Sequence, residues 1–160
     1  MALPDSQLKK LLIVAHAPSP NTQALVDAVL RGARHEDIDG IEVEHIPPLQ
    51  AGPDDVLKAD AILLGTTENF GYMSGAMKDF FDRTFYSVLE QTEAMPFGVY
   101  IRAGLDGTGT RVGIEKITSG MKWKQVQDTV LCHGEWDDAF LEQVEELGMS
   151  MAAGLEAGIF

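Results

Sequence analysis

Between Leu11 and Met151 the chain alternates strand-length apolar stretches with segments of helical periodicity, and that alternation leaves few folds open. Leu11–Ala15 is an uninterrupted apolar run, as a central strand of a parallel sheet requires. Leu25, Val26, Val29, Leu30 and Ala33 then recur at helical spacing, behind Ser19-Pro20. A serine cap with proline at the first helical position is a strong start signal. Ile41–Ile46 alternates with period two, which predicts a strand near a sheet edge, and Pro47-Pro48 ends it. Asp54–Lys58 predicts one or two helical turns, and Ala61–Gly65 the third strand. Met77, Phe80, Phe81, Thr84, Phe85 and Val88 mark the buried stripe of a long helix, with Lys78 and Asp82 at ion-pair spacing on its exposed side. Pro96–Ile101 predicts the fourth strand, and a helix follows around Thr110–Met121. Val126–Leu131 predicts the fifth strand and Asp137–Met151 the last helix. Strands alternating with helices imply a parallel sheet covered on both faces. With right-handed crossovers, the expected fold is three-layer, doubly wound α/β, with five parallel strands in the order 2-1-3-4-5. At 160 residues and 45% hydrophobic content, residues 1–160 are expected to form a single domain.

Charge narrows the partners. A net charge of −13 argues against nucleic acid and anionic membrane. From Glu135 to Phe160 there are seven carboxylates and no Lys or Arg, which reads as a solvated helix face or as a docking surface for a basic redox partner. The single cysteine, Cys132, excludes an internal disulfide and fits a reducing compartment. Lys9–Ala17 faintly mimics a signal peptide, but its apolar core is short and Asp5 precedes it, so it reads as the first strand. No run approaches the roughly 18 apolar residues of a membrane helix, and a cytoplasmic location is expected.

In this strand order the loops after strands one, three and four gather at one switch point, where α/β sheets bind ligands. The first loop, His16-Ala17-Pro18-Ser19-Pro20-Asn21-Thr22, joins a buried strand to a helix amino terminus. Unpaired amides and the helix dipole there favour an anion, and Ser19, Asn21 and Thr22 add side-chain donors. An ordinary helix cap explains Ser19 equally well. The second loop, Thr66-Thr67-Glu68-Asn69-Phe70-Gly71-Tyr72 followed by Met73, has one ionisable acid, small side chains and two flat rings. It suits gripping a planar heteroaromatic group better than cutting a bond; a tight turn with Phe70 tucked into the core is the competing reading. The third loop, Arg102-Ala103-Gly104-Leu105-Asp106 through Thr110, is glycine-rich but has Thr-Arg where a nucleotide-phosphate loop has Lys-Ser/Thr. Adjacent Cys132 and His133 point to opposite faces of a strand and form no catalytic pair. His16, His35, His45 and His133 show no metal spacing, so no metal and no catalytic side chain is expected.

The Asn-Phe-Gly of the second loop, continued by Met-Ser-Gly-x-Met-Lys-x-Phe-x-Asp-Arg, resembles the flavin-binding segment of the flavodoxin-like oxidoreductases, which include NAD(P)H-dependent FMN reductases and quinone reductases. Pro96–Tyr100, a strand entered through proline, is similar as well. The resemblance spans most of the chain and is specific over Gly71–Arg83. It implies bound FMN, with the phosphate on the first loop and the isoalloxazine ring between the second and third. It also implies an NAD(P)H-dependent enzyme reducing a small acceptor such as a quinone or free flavin, and often a homodimer completing the pocket, for which Phe70, Tyr72, Phe85 and Tyr86 are candidates. The alternatives are a flavodoxin-type electron carrier without NAD(P)H turnover and a domain of this fold that holds no flavin. The chain departs from flavodoxins at Ala17, where they place a hydroxyl, at Pro20, where they place glycine, and at Leu105, where an aromatic commonly stacks on the ring.

Overall fold

Side chains along the central strands alternate between two apolar layers. Leu11, Ile13 and Ala15 enter one layer and Leu12 and Val14 the other, while Leu63 and Tyr100 face the first and Leu64, Val99 and Ile101 the second. The computed structural model describes residues 8–160, so Asp5 lies outside the described residues. The elements are β1 (Lys9–Ala15), α1 (Pro20–Ala33), β2 (Ile41–Ile46), α2 (Pro53–Leu57), β3 (Ala61–Asn69), β4 (Tyr72–Met73), α3 (Gly75–Val88), β5 (Pro96–Ala103), α4 (Thr108–Gly120), β6 (Lys124–Gln125), β7 (Val130–His133) and α5 (Ala139–Ala157). The parallel order is β2-β1-β3-β5, with both β6 and β7 on the outer edge of β5. Helices α1 and α5 cover one face with Leu25, Val26, Val29, Val144, Leu147 and Met151. Helices α2, α3 and α4 cover the other, through Val56, Met77, Phe80, Phe81 and Ile114. This is the expected doubly wound, flavodoxin-like arrangement.

Three elements differ most from expectation. The fifth strand is broken: Gln125 pairs with Phe97 and Val130 with Tyr100, so residues 126–129 must span only two residues of β5. The polar run Gln127-Asp128-Thr129 bulges from the edge, closed by hydrogen bonds from Gln125 Nε2 to the Gln127 carbonyl and to Thr129 Oγ1. The last helix runs six residues beyond Met151 because the apolar stripe continues through Ala152 and Leu155, and Gly158 ends it in a left-handed cap at φ 69°. Its start is two residues late, where Asp137 Oδ1 accepts the Ala139 amide. The third strand does not stop at Gly65. It runs on to Asn69 and turns back as a hairpin with β4.

Candidate functional site

The first loop is built by a reciprocal cap. Ser19 Oγ accepts the Thr22 amide at 3.2 Å, and Thr22 Oγ1 accepts the Ser19 amide at 2.9 Å. Thr22 Oγ1 also donates to the Ser19 carbonyl at 3.0 Å and lies 2.9 Å from Ser19 Oγ, so the Ser19 hydroxyl can donate to Thr22 within the cap. Pro18 and Pro20 carry no amide donor. The amides of Ala17 and Asn21 have no hydrogen-bond partner among the described residues, and Asn21 is exposed. No acid stands in the first turn of α1. His16 is half-buried, its amide donates to the Gly65 carbonyl at 2.9 Å, and burial lowers its imidazole pKa, so the ring is neutral at pH 7.

The second loop is a two-residue hairpin. Glu68 pairs with Met73 and Asn69 with Tyr72, while Phe70 and Gly71 turn the chain at φ 53° and 76°. Positive φ at both central residues is the type I′ pattern, and phenylalanine there is strained by roughly 1–2 kcal/mol. The competing reading, with Phe70 tucked into the core, is overturned: its side chain is fully exposed. Tyr72 has the more packed ring, since a Cβ on Gly113 would stand 2.5 Å from its Cε1, and it remains 38% exposed. Thr66 and Met73 are buried. Thr66 Oγ1 accepts the Ser74 amide and donates to Ser74 Oγ, while Ser74 caps α3 by accepting the Met77 amide. Thr66 therefore braces the hairpin against α3. Thr67 Oγ1 donates to Asn69 Oδ1 at 2.5 Å on the exposed side.

Of the third-loop residues, Arg102 and Ala103 belong to β5. Ala103 is buried, and the Arg102 guanidinium turns toward α5, lying 5.8 Å and 5.2 Å from the Trp136 and Phe140 ring centres and donating to the Cys132 carbonyl. Leu105 is 67% exposed, and Asp106 accepts the Thr108 amide, which holds its carboxyl below the usual range. Glu68, the one acid of the second loop, crosses to the third: its carboxylate accepts the Leu105 and Gly107 amides, at 2.9 and 2.8 Å. The contact between Gly71 and Gly109 escaped sequence reading. A Cβ on Gly109 would meet the Gly71 carbonyl oxygen at 1.9 Å, and the signal on the third loop was the Gly-Thr-Gly-Thr of 107–110. Among the described residues no three His, Cys, Asp or Glu side chains could share a metal, and no helix is long and apolar enough to cross a membrane.

Beneath the loops, Cys132 is buried and its thiol is pushed up from 9.0 to about 11 by burial. The raised pKa means that its contribution is complete below pH 9 and is lost as pH rises to about 11. We expect native protein to resist thiol alkylation at pH 8 and to lose about 3 kcal/mol of stability across that alkaline window. Urea melts at pH 8 and 11, compared with Cys132→Ala, check this. Tyr100 lies across Gly65, which pairs with Ala15 directly before the first loop, and its buried hydroxyl has no partner among the described residues.

The profile of the NADPH-dependent FMN reductase family matches residues 9–136, and the chain belongs to that family. It is 33% identical to a flavodoxin of Aquifex aeolicus over 46% of this chain and 38% of that one. It is 28% identical to an NAD(P)H dehydrogenase (quinone) of Acidithiobacillus ferrooxidans, over 48% of each. The matches thus span less than half of each of these relatives. The fold is that of an archaeal flavodoxin (TM-score 0.74, 20% identity, 91% of this chain and 98% of that one). It is also that of flavodoxin 1 from Bacillus cereus (0.75, 18%, 91% and 98%) and a WrbA-like protein from Agrobacterium tumefaciens (0.71, 20%, 91% and 96%). FMN is the protein's cofactor.

The donor set fits that group. An uncapped pair of amides at an acid-free helix terminus suits a phosphate, and the exposed rings and open glycines of the other two loops suit a flat heteroaromatic. Phe70→Asn should relieve the turn and raise the melting temperature of flavin-free protein by about 2–4 °C, while weakening FMN binding. Thermal melts and fluorescence titration read the two effects separately.

Proposed function

We propose that the protein transfers hydride equivalents from NAD(P)H to a small acceptor, a quinone or free flavin, through FMN held at the three loops. The observation that carries this reading is the second loop: an exposed aromatic in a strained turn, flanked by neutral side chains. Bound FMN supplies the redox chemistry, and the chain supplies position and electrostatics. The Ala17 and Asn21 amides, the Asn21 side chain and the Ser19 hydroxyl hold the phosphate, and the dipole of α1 favours its charge. Phe70 and Leu105 cover the ring, with Tyr72 as a wall fixed by α4. Thr67 and Asn69 line its polar margin. No side chain serves as nucleophile or metal ligand, and neutral His16 adds no charge beside the phosphate. Phe85 and exposed Tyr86 border a hollow of about 230 Å³ between α3 and α4, a surface suited to a second copy of the chain. Light scattering at micromolar concentration distinguishes dimer from monomer.

Purified protein that is yellow and is bleached by NAD(P)H under nitrogen supports this function. A flavodoxin-type carrier is the second reading, favoured by the net charge of −13 and the acidic α5 that a basic redox partner could engage; it requires bleaching by a partner reductase only. Colourless protein indifferent to FMN would exclude both. Hydrogen bonds to a charged acceptor contribute on the order of 1.5–3 kcal/mol each, so FMN should bind at least about tenfold more tightly than riboflavin. Thr22→Glu should reduce that preference while keeping the cap, since glutamate at this position can bond the Ser19 amide. Equal dissociation constants for FMN and riboflavin in the unaltered protein would remove the first loop as a phosphate site.

A further inference from the structure

Glu68 lies one residue beyond Thr67, where the pairing of β3 with β5 ends, and its side chain crosses to the neighbouring loop. Its two oxygens take one amide each, from Leu105 and Gly107. The intervening Asp106 amide and that of Gly104 have no hydrogen-bond partner from another residue among the described residues. The chain bends at 104–105 and turns left-handed at Gly107 (φ 71°), and with the 105 and 107 amides taken by Glu68 those of 104 and 106 are left for a ligand. A second tie, the contact of Gly109 with the Gly71 carbonyl, keeps the loops together where α4 begins. Solvent-exposed Leu105 is therefore carried on a loop pinned at both sides of it. A carboxylate with both oxygens committed to one loop is a fixed charge in a fixed place.

We propose that Glu68 is the positioning residue of the ring site: it holds the third loop against the second, presents the Gly104 and Asp106 amides to the polar edge of the flavin, and places a negative charge that makes the bound flavin harder to reduce. The functional half rests on the FMN reading above. The brace itself exists without ligand, and so does its test. Nearby Asp106 is fully exposed and carries its own bond from Thr108, so its charge is screened by solvent and unchanged by substitutions at 68.

Glu68→Gln keeps the size, one acceptor oxygen and no charge, whereas Glu68→Asp keeps the charge on a shorter arm. In flavin-free protein, amide hydrogen exchange read by NMR should quicken at least about tenfold at Leu105 or Gly107 in the Gln variant. Other amides should be unaffected. In both variants FMN and riboflavin should each bind about tenfold more weakly, with their ratio unchanged because the phosphate loop is untouched. At saturating FMN the Gln variant should be reduced at a potential about 30 mV more positive, the equivalent of a tenfold change for a two-electron couple, and the Asp variant at the potential of the unaltered protein. A loop brace without electrostatic function would not separate Gln from Asp in potential. Unchanged exchange at both amides overturns the brace, and an unshifted potential in the Gln variant overturns the charge. Unaltered protein that binds no FMN overturns the reading beneath the proposal and the assignment to a ring with it, while the exchange result still decides the brace.

Discussion

Gly109→Ala is expected to lower the melting temperature by about 3–10 °C and to weaken FMN binding at least tenfold. The added Cβ would stand 1.9 Å from the Gly71 carbonyl oxygen and 3.1 Å from its carbon, so backbone must move. Neither partner has a cheap route. Helix α4 is seated on the core by Ile114 and Thr118, and the hairpin is held by Thr66 and Ser74 below and by Glu68 above. Overpacking of this kind costs about 1–3 kcal/mol or more, and each kcal/mol moves the melting temperature of a chain this size by about 2–4 °C. Binding suffers because the two walls of the ring site are the parts forced apart. Gly104→Ala is the control: a Cβ there meets nothing within 4 Å and its φ is not positive, so its melt should match the unaltered protein. Equal melts for the two variants would mean that the loops do not meet as described.

Legibility in the sequence followed burial. Central strands such as Leu11–Ala15 must be apolar on both sides, so their runs stood out, and the Ser19-Pro20 start was legible because capping is local chemistry. The site was legible in outline because a switch point follows from strand order alone. What escaped depended on distant partners. Thr66–Asn69 is polar and reads as loop, yet it is strand because β5 pairs with it through Thr67 and β4 folds back on it. The competing reading put Phe70 in the core because aromatics usually are buried; the turn geometry, with Gly71 beside it at positive φ, sends the ring to solvent. Glu68 gave no local sign that its carboxylate would bond amides 37 and 39 residues away. The break at residues 126–129 followed from an edge position, where unpaired polar residues meet water instead of a neighbouring strand.

Gly32→Ala should destabilise as strongly as any single methyl added to this chain, yet leave ligand preference intact. Its Cβ would meet the Glu145 carbonyl oxygen at 1.9 Å and carbon at 2.8 Å, and reciprocally a Cβ on Gly148 would stand 2.3 Å from the Val29 carbonyl oxygen. Helices α1 and α5 thus touch backbone to backbone, and a side chain at either glycine wedges them apart. Val26, Val29, Val144 and Leu147 then lose contact together, because they fill the same layer. We expect about 3 kcal/mol or more, a fall in melting temperature of roughly 6–12 °C. The wedge lies in the last turn of α1, about 16 Å along the helix from Asn21 at 1.5 Å per residue. Well below the melting temperature, the first loop and its free amides should therefore be undisturbed, and FMN should keep its full advantage over riboflavin. Gly109→Ala strikes stability and ring binding together, whereas Gly32→Ala strikes stability alone. Titrations of both variants at 10 °C beside their melts make the comparison. If Gly32→Ala erased the preference for the phosphate at a temperature where the protein is folded, the α1 amino terminus would be coupled to its far end, and the first loop would not be the local, preformed site described.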